Sequence, residues 1–109
     1  MEIRTIKPIF WSNRAISDLQ KIYTFNKKIF DKNIADSIID GIYHKISILE
    51  SQNLVLEKIG SIDEQFLHFK REYRKLIEKN CKITYRIGKS NIYIVRIFDS
   101  RQNPRKQFR

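Results

Sequence analysis

Apolar residues change their spacing along this chain, and that change constrains what the chain can fold into. Between Ala35 and Leu49 they recur at three- and four-residue steps (Ala35, Ile38, Ile39, Ile42, Ile46, Leu49), the stripe of an amphipathic helix. Between Cys81 and Ile87 they alternate instead. Cys81, Ile83, Tyr85 and Ile87 point one way and Lys82, Thr84 and Arg86 the other, the pattern of a half-buried strand. A helical stripe and a strand face each need an apolar surface to cover, so the two halves of the chain are built to cover each other.

The flanking segments extend this reading. Residues 2–11 look like a first strand, with Pro8 confining its later part to a sheet edge or exit. Ser12 then caps a helix whose stripe is Ala15, Ile16, Leu19, Ile22 and Tyr23, and Asp31 caps a second helix running to about residue 51. Gly41 inside that helix costs on the order of 1 kcal/mol against alanine, which close helix–helix contact would justify. Residues 53–65 read as a connector containing Gly60. Strands follow over 66–78, 81–88 and 91–100, separated by turns at Lys79-Asn80 and Gly88-Lys89-Ser90. The last strand is apolar on both faces, which suits an interior place in the sheet. The expected fold is α+β with order β-α-α-β-β-β: a helical hairpin on one face of a small antiparallel sheet, basic side chains on the other.

The 109 residues fit one compact domain, residues 1–109, and 41% apolar content supports a packed core. No apolar run is long enough to cross a membrane or serve as a leader, so a soluble cytoplasmic protein with no membrane role is expected. The single cysteine, Cys81, offers no internal disulfide and no multi-cysteine metal site, and no cofactor is expected. Net charge is +10, unevenly spread: residues 1–55 hold eight Lys/Arg against six Asp/Glu, residues 56–109 fourteen against six. Such a balance points towards phosphate backbones or an acidic protein partner.

Three patches resemble the RelE/ParE superfamily of bacterial type II toxin–antitoxin toxins. Residues 11–25 (WSNRAISDLQKIYTF) are similar to that family's opening helix, with Ala15, Asp18, Leu19, Ile22 and Tyr23 at its pattern positions. Residues 73–87 (YRKLIEKNCKITYRI) resemble its central hairpin, and residues 96–104 (RIFDSRQNP) a C-terminus common in one branch. The resemblance spans nearly the whole chain. It implies a cytoplasmic toxin neutralised by an antitoxin, here expected to be acidic, in a hetero-oligomer. Two activities occur on that fold: RelE-like members cut mRNA in the ribosomal A site, and ParE-like members inhibit DNA gyrase.

Metal-free RNA cleavage needs a base for the 2′-OH, charge stabilisation of the phosphorane and an acid for the leaving oxygen. The resemblance assigns candidate catalytic roles to Arg74, Lys75, Lys82 and Arg101. Arg71, Arg86, Arg96 and Phe108 are the candidate nucleic-acid or partner contacts. Arg74 and Lys75 are adjacent, so in a regular strand only one can share a face with Lys82. Phe108 stands near where RelE-like members carry a tyrosine or histidine; it can stack on a base but cannot move a proton. Asp99 is expected to cap a turn or orient Arg101 or Arg96, Trp11 to anchor packing, Cys81 to fill core, and His44 and His68 to play no catalytic part. A ribosome-dependent endoribonuclease is the first expectation. A gyrase inhibitor without catalysis and a non-toxic basic RNA-binding module are the alternatives.

Overall fold

A computed structural model describes residues 7–50, 60–66, 68 and 71–101 of the chain. Strand β1 (Ile9–Trp11) leads into helix α1 (Asn13–Ile29) and helix α2 (Lys32–Ser47), the latter closed by a 3-10 turn at Ile48–Glu50. Strands β2 (Ser61–Ile62), β3 (Arg74–Glu78), β4 (Cys81–Ile87) and β5 (Ile92–Asp99) follow, with a second 3-10 turn at Glu64–Phe66 between β2 and β3. The sheet order is β1-β5-β4-β3-β2.

The helical hairpin forms where the caps predict. The Ser12 hydroxyl accepts from the Ala15 N–H at 3.0 Å and donates to the Val95 carbonyl at 2.9 Å, so one side chain both starts α1 and ties it to β5. The Asp31 carboxylate accepts from the Ile34 N–H at 2.8 Å and starts α2. Lys27 and Lys28 in the last turn of α1 complement its C-terminal dipole. Both apolar stripes then close on one face of the sheet. Ala15, Ile22, Ile42, Ile46 and Leu49 meet Leu76, Cys81, Ile83, Tyr85, Ile92, Ile94 and Ile97 in one buried cluster.

The sheet is mixed: β1 runs parallel to β5, with Phe10 beside Tyr93, while β2 through β5 are antiparallel neighbours. A parallel partner needs a crossover, and the helical hairpin supplies it. β5 lies between β1 and β4, the interior place its two apolar faces predict. Of the expected first strand, residues 2–6 lie outside the described residues and Ile9–Trp11 form β1. Two boundaries differ from the sequence reading. The expected strand from residue 66 starts at Arg74, because Asp63 and Phe66 close a 3-10 turn first. The connector itself contributes β2, which is too short to leave a periodic signal.

Gly41 faces the sheet, and its nearest neighbour is not a second helix. The nearest atoms to a Cβ there belong to Glu78 of β3, its Oε2 at 2.9 Å. At Gly60 the requirement is stricter: φ is +71° and a Cβ would lie 2.3 Å from the Lys75 carbonyl oxygen. Among the described residues no helix is long and apolar enough to cross a membrane.

Candidate functional site

The hairpin register divides the basic residues between the two faces of the sheet. Lys75 pairs with Thr84, and Arg74 pairs with Tyr85. Lys75 therefore shares the outer face with Lys82, Thr84 and Arg86, while Arg74 lies on the helix side beside the buried Tyr85.

The outer face is not open at its β3 side. The turn after β2 lays Asp63, Glu64 and Gln65 across it. Asp63 is only 1% exposed, and both its carboxylate oxygens lie 3.0 Å from Lys82 Nζ. Thr84 Oγ1 donates to Asp63 Oδ2 at 2.8 Å. Lys82 also donates to Gln65 Oε1 at 2.6 Å, and its ammonium stands 5.5 Å from the Phe66 ring centre. Glu64 pairs with Lys75 at 3.2 Å. A buried carboxylate is tolerated only when paired and hydrogen-bonded, and Lys82 with Thr84 meets that condition.

Arg74 is held on the other face. It donates to Glu72 and to the Gly60 carbonyl, both at 3.2 Å. Burial works against its charge, but hydrogen bonds to Tyr85 and Glu72 outweigh this and raise its pKa. Its Nε is buried with no hydrogen-bond partner. Burial likewise pushes the Tyr85 phenol up, against the lowering effect of Arg74.

Arg101 belongs to a third neighbourhood at the end of β5. Its Nε and Nη2 donate to the two oxygens of Asp99 at 3.0 and 2.6 Å, and Nη2 also donates to Asn26 Oδ1 at 2.8 Å. The guanidinium lies 5.2 Å from the Phe25 ring centre and 6.0 Å from that of Phe30. Its pKa is raised, first by the hydrogen bond to Asp99. Arg96, paired with Thr84 in the sheet, is engaged by α1. A bulge between Thr84 and Tyr85 leaves Val95 without a partner in β4, and Arg96 reaches Asp18 of α1 through Nε (2.7 Å) and Nη2 (3.1 Å). Asp18 also accepts from the Ile97 N–H at 2.9 Å, which satisfies the edge of β5 beyond the end of β1.

Of the eight candidate positions, Lys75, Lys82 and Arg86 come together on one face. Arg74, Arg96 and Arg101 occupy separate, internally paired sites. Arg71 is exposed ahead of β3, and Phe108 lies outside the described residues. His44 and His68 are both exposed. Cys81 is buried, and desolvation raises its thiol to about 11. The partners Asp63 and Asn26 escaped the sequence reading because nothing local marks them. Asp18 was marked by the resemblance as a pattern position of the opening helix, but nothing local showed that it would hold Arg96. No group of acidic, histidine and cysteine side chains among the described residues could hold a metal ion.

A further feature lies on the helical hairpin. Trp11, Ile16, Leu19, Tyr23, Ile39 and Tyr43 line an open apolar groove of about 790 Å³, with Gln20 and Thr24 as its polar members. The Trp11 and Tyr43 rings stand 5.3 Å apart at one side of it.

A family model described as the ParE toxin of the type II toxin–antitoxin system parDE matches residues 9–104. Among solved structures, the chain is similar to one from a chromosomal ParDE toxin–antitoxin system of P. aeruginosa. The TM-score is 0.70 at 19% identity, over 86% of this chain and 96% of that one. No curated protein matches the sequence.

Proposed function

Because the chain belongs to the ParE toxin family of type II toxin–antitoxin systems, we propose that it arrests growth by binding and inhibiting DNA gyrase, without catalysing a reaction. One observation carries this choice over RNA cleavage. Lys75, Lys82, Arg74 and Arg101 are each engaged by an acid or carbonyl of the same chain, and they are split between the two faces of the sheet. A phosphorane needs several free cations converging on one point, with a base within hydrogen-bond reach of the attacking hydroxyl. Lys82 and Arg101 would have to abandon the buried carboxylates of Asp63 and Asp99 to serve a substrate, whereas the partners of Lys75 and Arg74, Glu64 and Glu72, are exposed. A protein surface asks for no such release.

The antitoxin is the second element of the reading. The groove between α1 and α2 is apolar, concave and rimmed by aromatic rings, the form that takes the apolar face of a partner helix. A chain of net charge +10 favours an acidic partner, and opposite charge speeds its capture. The resulting complex is a toxin–antitoxin hetero-oligomer.

The test is a supercoiling assay with purified gyrase beside a ribosome-dependent mRNA cleavage assay, using the same folded preparation. Inhibited supercoiling with intact transcripts is the expected result. Transcripts cut within codons, with gyrase unaffected, would overturn the proposal in favour of the endoribonuclease.

A further inference from the structure

Arg86 differs from the other arginines of β3 to β5. Among the described residues no hydrogen bond or ion pair engages its guanidinium, which instead stacks 4.1 Å from the centre of the Tyr93 ring. Tyr93 meets Phe10 of β1 edge-to-face, centroids 5.5 Å apart at 64°. Phe10, Tyr93 and Arg86 are direct neighbours across three strands, so they form one row on the outer face. That row stands at the β4–β5 turn end, away from the Asp63–Gln65 turn that covers Lys75 and Lys82.

The row is held in place. A Cβ at Gly88 would lie 2.6 Å from Tyr93 Cε2, so the missing side chain lets the ring lie against the turn. Lys7 donates to the Gly88 carbonyl at 2.9 Å and pins the same turn to β1. Phe10 nonetheless remains 54% exposed. A large aromatic left in water beside a stacked guanidinium is poor packing but a good seat for a flat ligand. Residues 7–17 and 86–98, which hold the row, contain no Asp/Glu, and among the described residues Arg96 is the one of their Lys/Arg held in an ion pair, by Asp18.

We infer that Phe10, Tyr93 and Arg86 form a stacking platform for single-stranded nucleic acid, with Arg86 and the exposed Lys89 reaching the phosphates. Bases stack on aromatic and guanidinium planes without regard to sequence, and a cationic border supplies the backbone contacts. A folded duplex hides its base faces and does not fit this row. The site is separate from the helical groove and does not depend on the gyrase reading.

The experiment is fluorescence anisotropy of a short labelled oligouridylate and a matching oligothymidylate, titrated with folded wild-type protein and variants at several salt concentrations. Both strands should bind. Phe10→Ala should weaken binding roughly five-fold or more, as loss of one stacked base does. Phe10→Trp should retain it. Arg86→Ala should weaken binding and lower the salt slope by about 0.7 per lost phosphate contact. Lys28→Ala, on the exposed end of α1, removes the same charge elsewhere and should have little effect. Equal losses for Lys28→Ala and Phe10→Ala would mean unspecific attraction and overturn the inference. So would absence of binding at low salt, or an oligoglutamate peptide binding as tightly with the same response to Phe10→Ala. Phe10 is half exposed, so its truncation leaves the fold intact, and circular dichroism checks this.

Discussion

Arg101 and Asp99 form a two-point ion pair at the end of β5, in which the carboxylate is fully buried and the guanidinium 30% exposed. The Arg101 N–H adds a third bond to the same carboxylate at 2.9 Å. Through Nη2 the pair also reaches Asn26, whose own amide donates to the Ile22 carbonyl at 2.7 Å. The C-terminal strand is thereby fastened to the last turns of α1, and Arg101 acts as a clamp between layers.

Arg101→Ala leaves a buried carboxylate without its cation and should cost about 3 kcal/mol, the low end for a buried pair broken on one side. Chemical denaturation measures it. If Arg101 instead served a substrate alone, the variant would keep wild-type stability.

Acid should weaken the same contact in a defined direction. Burial would raise the Asp99 pKa, but the hydrogen bonds from Arg101 prevail and hold it below its ordinary 3.8. A carboxylate lowered in the folded state contributes stability that is fully present above its unfolded pKa. That stability is lost as pH falls through the lower folded value. Denaturation midpoints followed down the acid limb should therefore fall more steeply for wild type than for Asp99→Asn. Parallel acid limbs would refute the assignment.

Two glycines should respond in opposite ways to alanine. At Gly41 the only close neighbour is the end of a flexible glutamate, which can swing aside. The gain in helix propensity should then leave Gly41→Ala about 0.5 kcal/mol more stable. At Gly60 the new methyl meets a backbone oxygen at a positive φ, and the loss should be at least about 2 kcal/mol. Thermal melts of the two variants, shifted to either side of wild type, are the check.

Removing Asp63 should be costly for a reason unrelated to catalysis. Asp63→Ala strips the buried Thr84 hydroxyl of its acceptor and leaves Lys82 with Gln65 alone. A loss of about 2–3 kcal/mol is expected, the sum of an unsatisfied buried group and a broken charge pair. Thr84→Val tests the smaller share, about 1 kcal/mol.

Cys81 should be inert while the protein is folded. It is 3% exposed and its thiol is raised to about 11, so little thiolate exists at pH 8 and a reagent cannot reach it. An Ellman titration should register the thiol only after denaturant is added. Rapid reaction of the native protein would contradict this burial.

Much of the architecture was legible because it rests on local signals. Ser12 and Asp31 announce helix starts through side-chain capping, the stripe from Ala35 to Leu49 announces a buried helix face, and Cys81 to Ile87 announces a strand by strict alternation. The double-sided apolar run of β5 even located it inside the sheet. β2 and the 3-10 turn at Glu64–Phe66 were not legible, since two or three residues leave no period to read. The parallel union of β1 with β5 was also hidden, because strand direction follows from the crossover and not from composition.

For the site the balance reverses. Sequence alone established which cations exist and that residues 56–109 concentrate them. Tertiary structure decided which of them are free. Whether a lysine faces solvent or a carboxylate depends on residues far away in the chain: Asp63 is nineteen positions from Lys82, and Asp18 seventy-eight from Arg96. Periodicity reports on neighbours within a turn or two, whereas charge pairing is set by whichever segment folds over the same few ångströms. The arginine with a free guanidinium on the outer face, Arg86, became distinguishable only after the pairs around it had formed.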